Sequence, residues 1–397
     1  MSIADTTTSA DRPAWLALDK LGVLIALIAA AGAALPFALF RANRIVLGEP
    51  RSPFDALPSF PSGVLIGVLL VGFLAALLRF PTQAKLIAGF LVLAVLFVFI
   101  GWSGSYLTPE GDTFARVSPG AGFWLLVFAF ALLVADALTR LRFKPIVRIA
   151  ILVAVGVAMG LLLWSGGWND LSMLKEYATR APAFWAEGRT HLALAFGSVA
   201  IATVVGVPVG VLCYRVKPLR AAVLNVLNIV QTIPSIALFG LLIAPLAWVA
   251  ANIPGASEVG IAGIGAAPAL VALFAYSLLP IVSNTVVGLQ SVSPAAVDAA
   301  KGMGMTGSQR MFAVELPLAF PVILTGIRIV LVQNIGLATI AALIGGGGFG
   351  VFVFQGIGQT AMDLVLLGAV PTVALAFAAA VVLDAMVEMT SRGGRRS

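Results

Sequence analysis

Residues that could carry out covalent or acid–base chemistry are scarce in this chain of 397 residues. It contains 1 histidine and 1 cysteine, together with 24 Lys and Arg and 17 Asp and Glu residues. Metal-dependent or acid–base catalysis needs several such groups close together. His191 instead stands alone at the outer edge of an apolar segment, where a surface or capping role is expected, and Asp136 has no neighbouring acid. The sequence therefore predicts no catalytic residue and no metal site, which argues against an intramembrane enzyme.

A polar stretch interrupts an otherwise apolar segment at Gln231-Thr232-Ile233-Pro234-Ser235. Proline cannot donate the helical hydrogen bond, and its ring clashes with the preceding turn of the helix. Broken helices near the middle of the membrane are typical of transport pathways, where polar neighbours satisfy the freed backbone groups. An ordinary proline kink explains the same residues equally well. Both interpretations stay open at this point.

Three amide side chains lie within other apolar segments, namely Asn284, Gln333 and Asn334. Amides this deep in hydrocarbon face other helices or a water-filled path. Hydrogen bonding between helices explains them at least as well as contact with a solute. If a permeation path exists, we expect its lining to come from these amides and from the proline break, which together comprise Gln231, Thr232, Pro234, Ser235, Asn284, Gln333 and Asn334.

One arginine, Arg328, lies inside an apolar segment, about eight residues or roughly 12 Å of helix rise from its start. A charge at that depth needs a partner or a route for its side chain to reach the membrane surface. Asp384 lies at a similar depth, near the end of the last apolar segment. The sequence therefore predicts a structural ion pair between Arg328 and Asp384.

A polar segment of different character connects two apolar segments at Ser291–Pro317. Its Ser293-Pro294 pair is typical of a helix start, with a capping serine followed by proline in the first turn. A short alanine-rich helix is then expected to begin at Asp298 and to end near Gly302 and Gly304. Such a helix suits insertion into a groove of a partner, because no bulky side chain blocks close approach. A simple connecting loop is the alternative, which the order of these signals disfavours.

The composition shows which elements must position these residues. Hydrophobic residues make up 60% of the chain and charged residues 10%, whereas a soluble domain carries roughly 25% charged residues. This excludes a soluble enzyme and a disordered protein. The formal net charge is +7, but the basic residues stand between long apolar runs instead of clustering on one face, so we predict no nucleic-acid partner.

The apolar runs predict an all-α, polytopic membrane protein. A bilayer core is crossed by roughly 20 apolar residues of helix, and the runs lack the alternation of β-barrel strands. The sequence predicts about ten transmembrane helices, at Leu21–Phe40, Gly63–Leu78, Leu86–Trp102, Ala121–Leu138, Ile146–Trp164, Leu192–Val211, Ala221–Val249, Ala266–Leu289, Phe320–Ile344 and Leu364–Val387.

The polar segments between the runs indicate orientation and domain organisation. Most Lys and Arg residues fall on one side of the membrane when both termini are cytoplasmic, as the positive-inside rule requires. The mixed aromatic and charged stretch 166–191 suits an interfacial linker on the outer surface. We therefore expect an N-terminal membrane segment of five helices at 1–165, a transmembrane domain at 192–390 and a basic cytoplasmic tail at 391–397.

The polar segment also resembles a known family signature. Asp298-Ala299-Ala300, then Gly304, then Val314, Leu316 and Pro317 are similar to the cytoplasmic motif of ABC importer permeases, in which Glu-Ala-Ala, a glycine, an aliphatic residue and Leu-Pro occur at the same spacing. Asp298 stands for the glutamate and Val314 for the usual isoleucine. This resemblance implies that the C-terminal five helices form a MetI-like, binding-protein-dependent permease core.

Three further segments resemble the osmoprotectant branch of these permeases, namely Thr190–Leu212, Val230–Ile243 and Ala338–Ile357. Members of that branch import glycine betaine, choline, carnitine or proline betaine. The resemblance covers roughly Thr190–Glu388, so the role of the five N-terminal helices stays unexplained. It implies import of a small quaternary ammonium compound or a related amino-acid derivative from periplasm to cytoplasm, across the bacterial inner membrane.

The resemblance also implies partners. A dimer of cytoplasmic ABC ATPases would receive the helix at Asp298–Gly304, a second permease subunit, identical or related, would complete the pathway, and a periplasmic binding protein would deliver the substrate. ATP would bind to the partner, because this chain has no Gly-x-x-x-x-Gly-Lys-Ser/Thr motif and Gly345–Gly348 is better interpreted as a tight turn. We therefore expect no cofactor in this chain.

An ion-coupled secondary transporter of a small solute is the alternative function. Such a transporter needs charges inside the membrane and no ATPase. Arg328 and Asp384 keep this alternative open, but it leaves the Asp298–Pro317 pattern without an explanation.

Overall fold

A computed structural model describes residues 18–43 and 46–393, with the backbone alone for the last two. The predicted basic tail therefore lies outside the described residues except at its first three positions, which continue the last helix. The described residues form two compact units. The first extends to Lys144 and includes Val155–Lys175, and the second comprises Pro145–Ala154 and the residues from Glu176 onwards.

The first unit contains four long helices and three short strands. Its elements, in chain order, are α1 Lys20–Ala34, β1 Ala38–Arg41, β2 Glu49–Arg51, α2 Pro53–Ala56, α3 Ser59–Leu77, α4 Thr82–Leu107, β3 Arg116–Pro119 and α5 Ala121–Leu141.

The three strands form an antiparallel sheet in the order β2-β1-β3, with Ala38 opposite both Arg51 and Pro119. The predicted first span, Leu21–Phe40, is therefore wrong at its end. The helix stops at Ala34, because Pro36 cannot continue it, and the chain turns into β1. Phe37 and Ala38 belong to the buried core of this unit, where Phe37 is 1% exposed and lies edge-on to Phe123.

Small residues let the helices of this unit pack closely. A Cβ atom on Gly22 would lie 1.8 Å from the carbonyl oxygen of Ala76, so α1 and α3 touch at the backbone. Trp168 stacks on Phe97 with 5.8 Å between ring centroids, and its indole N–H donates to the Phe97 carbonyl at 2.8 Å. The indole thus buries its apolar body while its one donor is satisfied.

Helices α6, Pro145–Trp164, and α7, Ser172–Arg215, contribute residues to both units. The predicted linker 166–191 is helical from Ser172, and α7 continues directly into the sixth span with a kink at Arg180. The sequence analysis expected His191 to have a surface or capping role, which is wrong. The structure buries His191 fully, with its ring 5.1 Å from that of Phe349. The polar residues of this stretch from Ser172 onwards lie on successive turns of α7.

The described part of the second unit contains eleven further elements. They are α8 Lys217–Thr232, α9 Ser235–Leu241, α10 Ile243–Asn252, α11 Ala266–Gln290, α12 Pro294–Gly302, α13 Gly307–Arg310, a π-helical segment Met311–Glu315, α14 Leu316–Leu337, a 3-10 helix Ile340–Ile344, α15 Gly350–Gly358 and α16 Met362–Gly393. The turn at Gly345–Gly348 has positive φ at Gly345, Gly347 and Gly348.

The polytopic helical architecture is confirmed. Among the described residues, nine helices are long and apolar enough to cross a membrane, with α9 and α10 counting together as one, and α1 is an apolar helix of 15 residues. The predicted seventh span, Ala221–Val249, is not one helix: α8, α9 and α10 divide it, with the first break between Thr232 and Ser235. Pro234 causes this break, because it has no N–H to donate.

Candidate functional site

The short helix α12 begins four residues earlier than Asp298. The Ser293 hydroxyl accepts a hydrogen bond from the Ala296 N–H at 3.3 Å, and Pro294 occupies the first turn. Asp298 therefore lies in the middle of the helix, where its carboxylate pairs with the Lys301 ammonium at 2.9 Å. Both side chains are more than half exposed, so the pair contributes little to stability and leaves the charged face open.

Gly304 ends this helix in a Schellman motif. The Met305 N–H donates to the Ala300 carbonyl at 3.1 Å, and the Gly304 N–H donates to the Lys301 carbonyl at 2.9 Å. Gly304 has φ +77°, a left-handed conformation that favours glycine. Space does not require a glycine here, because a Cβ atom would meet nothing within 4 Å. The spacing between Ala300 and Gly304 is therefore set by the backbone hydrogen bonds and the left-handed residue that end the helix.

The second half of the segment is anchored by an ion pair. Arg310 Nε lies 2.6 Å from Glu315 Oε1, and Glu315 is 3% exposed. This pair spans the π-helical segment that leads into α14 at Leu316 and Pro317. Leu316 packs on a small buried cluster formed by Leu289, Met311, Ala319 and Ile323. Val314, from the family motif, is half-buried and Pro317 is exposed.

Between these two halves the segment presents an apolar surface. Met303 is 70% exposed and Phe312 is 71% exposed. Both side chains line a shallow hollow of about 580 Å³ together with Gly304, Met305, Gln309 and Ala313. Exposed large apolar side chains around a hollow on a polar segment are typical of a protein-binding surface.

The helix break after α8 is held by α11. Gln231 Nε2 donates to the Tyr276 carbonyl at 2.8 Å, and the Tyr276 hydroxyl donates to the Ile233 carbonyl. Pro280 lies four residues after Tyr276 within α11, so the Tyr276 carbonyl lacks its helical donor. Gln231 supplies that donor. Its role here is a hydrogen bond between helices.

The other predicted lining residues are divided between surface and interior. Thr232 and Pro234 are exposed, and Ser235 and Gln333 are half-buried. Asn284 is half-buried, and its side chain donates to the Pro280 carbonyl of its own helix at 2.8 Å. The structure thus leaves the residues of the helix break accessible and does not bring all seven side chains together.

Asn334 does not line a surface in this structure. It is completely buried, and its Nδ2 donates to Ser198 Oγ and Ser277 Oγ, each at 2.8 Å. These contacts join α7, α11 and α14. The expectation that Asn334 lines a path is therefore corrected to a hydrogen-bonding role between helices, which such amides also perform in membranes.

Arg328 and Asp384 are in direct contact. Two residues that the sequence analysis did not include complete the cluster: Arg148 Nη1 lies 2.7 Å from Asp384 Oδ2, and Arg148 also pairs with Glu388. Two arginines and two carboxylates thus neutralise each other between α6, α14 and α16. The charges that kept a secondary transporter open have a structural explanation.

Several residues that shape this site carried no recognised signal in the sequence. Ser198, Ser277 and Tyr276 are common residue types in apolar segments. Arg148 and Glu388 stand at the ends of predicted spans, where charges need no partner. Arg310 and Glu315 are five residues apart, and their pairing depends on the π-helical segment between them. No group of three or more His, Cys, Asp or Glu residues that could hold a metal ion occurs among the described residues.

Two family models match the chain. Residues 202–395 match the binding-protein-dependent transport system inner membrane component, and residues 19–174 match the N-terminal domain of ABC transporter permease YehY. The glycine betaine/carnitine/choline transport system permease protein OpuCB of Bacillus subtilis is 38% identical over 51% of this chain and 84% of its own length. The chain belongs to the osmoprotectant branch of binding-protein-dependent ABC permeases.

A second curated relative agrees with this assignment. The osmoprotectant import permease protein OsmW of Salmonella typhimurium is 45% identical to this permease over 49% of the chain and 83% of its own length. A solved inward-facing structure of the MetNI methionine ABC transporter aligns with 53% of this chain and 95% of its own chain, at 24% identity and a TM-score of 0.46. The permease is a transport subunit and a multi-pass membrane protein.

Proposed function

We propose that this permease carries a small osmoprotectant, a quaternary ammonium compound such as glycine betaine or a related amino-acid derivative, from periplasm to cytoplasm. The relatives support this substrate class, since their names describe glycine betaine, carnitine, choline and osmoprotectant transport. Transport is driven by ATP hydrolysed on a separate chain.

The capped helix α12 is the observation that carries the ATP-driven mechanism. It projects an exposed Asp298 and Ala299 beside the apolar hollow that Met303 and Phe312 line. An ABC ATPase docks there, one ATPase subunit of a dimer to each permease. Closure of the ATPase dimer on ATP moves this segment, and because the Arg310–Glu315 pair fixes it to the start of α14, the movement reaches the transmembrane helices as a rigid-body change.

A second permease subunit, identical or related, completes the pathway. Helix α8 has no fully buried residue within this chain, and the exposed Thr232 and Pro234 place a polar break within an apolar surface. A partner facing this surface would enclose the break and make it a path. The half-buried Ser235 and Gln333 add polar contacts for a solvated substrate that is held weakly.

The orientation follows from the distribution of basic residues. Both termini lie in the cytoplasm of a bacterium, and the protein is in the inner membrane. Helix α12 and its hollow then face the cytoplasm, and the Gly345–Gly348 turn faces the periplasm, where a binding protein delivers the substrate. Quaternary ammonium groups are held by aromatic rings through cation–π attraction, and that recognition belongs mainly to the binding protein.

Co-purification tests the ATPase partnership. Tagged full-length permease is extracted from its native membrane in a mild detergent, and the chains that accompany it are identified by mass spectrometry. We expect an ATP-binding subunit with the wild type and its loss from the variant Asp298→Ala/Gly304→Val. Gly307→Ala is the matched control, because a Cβ atom on Gly307 would meet nothing within 4 Å. Absence of an ATPase under several mild conditions would contradict the proposal.

A further inference from the structure

A basic pocket lies at one end of the first unit, outside the transport machinery described above. Helix α1 begins there, α3 is followed by α4, and α5 ends. The pocket has a volume of about 440 Å³. Basic side chains dominate its walls, which include Asp19, Lys20, Arg79, Thr82, Lys85 and Arg140. Neither the transport mechanism nor the resemblance accounts for this pocket.

Among the residues that the structure describes, carboxylates compensate only part of this positive charge. Lys85 is 4% exposed, and its ammonium lies 2.8 Å from Asp19 Oδ2. Arg140 lies 3.6 Å from the same oxygen and 2.8 Å from Asp136. Asp19 and Asp136 thus pair with the buried Lys85 and with Arg140, whose side chain is 48% exposed. The outer cations, Lys20 and Arg79, add two further positive charges at the mouth.

The outer cations are well placed for a ligand. Lys20 and Arg79 are exposed, and Arg79 Nε donates to the Leu18 carbonyl at 3.1 Å, which orients its guanidinium group. Guanidinium groups bind phosphate oxygens through pairs of parallel hydrogen bonds. A phosphate group therefore fits this mouth.

An apolar stripe leads away from the pocket along α1. Leu24 and Leu27 are four and seven residues after Lys20, so the three side chains share one face of the helix. Leu24 is 52% exposed and Leu27 is 64% exposed. A free phosphate ion has no use for such a stripe, whereas the acyl chain of a phospholipid would pack against it.

We propose that this pocket binds the phosphate head group of an anionic phospholipid. Lys20 and Arg79 hold the phosphate, the buried Lys85 and the half-exposed Arg140 add positive charge beside it, and an acyl chain lies along Leu24 and Leu27. In the orientation proposed above, the pocket faces the cytoplasmic leaflet, whose anionic lipids are attracted to basic segments. The N-terminal unit thereby has a ligand of its own, which depends on neither the substrate nor the ATPase.

Lipid binding to the full-length permease in mild detergent tests this proposal. The probes are dioleoylphosphatidylglycerol, dioleoylphosphatidylcholine and inorganic phosphate, and the readout is lipid retained in native mass spectrometry. We expect Lys20→Gln/Arg79→Gln to weaken retention of phosphatidylglycerol by about tenfold or more, since each basic residue near an anionic lipid strengthens the binding of that lipid. Arg142→Asn/Lys144→Gln is the matched control, since it removes two exposed cations from the same unit, and it should change retention by less than about twofold.

Each outcome decides the proposal. Stronger retention of phosphatidylglycerol than of phosphatidylcholine, lost in the pocket variant alone, supports it. Equal retention of the two lipids overturns it, as does an equal loss in the control variant, which would indicate diffuse surface charge. Displacement of phosphatidylglycerol by millimolar inorganic phosphate would identify a free anion as the ligand. If the double variant does not fold, Lys20→Gln alone provides the same comparison.

Discussion

The side chains of Gln231 and Tyr276 each donate a hydrogen bond to a backbone carbonyl of the other's segment. The Gln231 side chain donates to the Tyr276 carbonyl at 2.8 Å, which has no helical donor because Pro280 follows four residues later. The Tyr276 hydroxyl donates in turn to the Ile233 carbonyl, immediately before Pro234. The break after α8 is therefore fixed to α11 and is more than a local kink.

The Gln231 interaction predicts a rescue. Gln231→Leu should lower the free energy of unfolding by about 1–2 kcal/mol, because it leaves a backbone carbonyl without a donor inside the membrane. Pro280→Ala restores a backbone N–H four residues after Tyr276, so Gln231→Leu/Pro280→Ala should recover most of that loss. Thermal unfolding of the purified variants measures both effects. The account of this break is wrong if Pro280→Ala gives no recovery while the variant itself remains folded.

The conformation of Gly304 predicts a selective defect in coupling. Gly304→Ala should cost about 1–2 kcal/mol at the end of α12, because its φ of +77° is strained for any residue with a Cβ atom. We expect less ATPase to co-purify and slower uptake, with little change in global unfolding temperature. Gly302→Ala should behave like the wild type, because a Cβ atom on Gly302 would meet nothing within 4 Å. Equal defects in both variants would exclude the backbone explanation.

The cluster around Asp384 predicts an asymmetric result of charge reversal. Arg328→Asp/Asp384→Arg would recreate that pair but place a second positive charge beside Arg148, which lies 2.7 Å from Asp384 in the wild type. Rescue should therefore be partial. Removing Arg148 from the double-reversal background with Arg148→Gln should increase stability further, whereas Arg148→Gln alone should destabilise the wild type. Detergent-solubilised unfolding curves of the four proteins test this, and full rescue by the double reversal would rule out a role for Arg148.

The Asp19 carboxyl predicts a loss of stability in acid. Burial raises its pKa. Hydrogen bonds from the Lys85 ammonium and the Gly22 N–H, together with the charges of Lys85 and Arg140, lower the pKa by more than burial raises it, so it lies below the ordinary value of 3.8. A carboxyl whose pKa is depressed by folding stabilises the protein above its unfolded value, and that stabilisation is lost as the pH falls through the folded value. Wild-type protein should therefore lose stability below about pH 3.8 relative to Asp19→Asn. Parallel unfolding curves for the two proteins from pH 7 down to pH 3 would contradict the Asp19–Lys85 pairing.

Local signals in the sequence marked the two ends of α12 and the interruption at Pro234. Ser293-Pro294 and Gly304 are the start and stop of α12, because capping and left-handed termination depend on residues within one helical turn. Proline in a helix interior breaks or kinks the helix. The chain stays helical past Pro280 but α8 ends before Pro234, so the sequence marked the position of the interruption and left its form open.

Contacts between distant segments required the structure. Asn334 meets Ser198 and Ser277 only once α7, α11 and α14 pack, and the sequence gives no reason to choose burial over pathway lining for an amide. Arg148 and Asp384 are 236 residues apart in the chain. The sequence analysis therefore paired Arg328 with Asp384 but did not include Arg148 and Glu388. The strand β1 was absorbed into the first predicted span because its residues are as apolar as the helix before it.

ATP-dependent uptake tests the central claim most directly. The complex that co-purifies with the permease is reconstituted into liposomes with its binding protein, and radiolabelled glycine betaine and choline are supplied outside. The account predicts accumulation that requires ATP on the side of α12, persists when ion gradients are dissipated, and is lost in Gly304→Ala but retained in Gly302→Ala. Accumulation driven by an ion gradient without ATP would contradict the account and favour a secondary transporter.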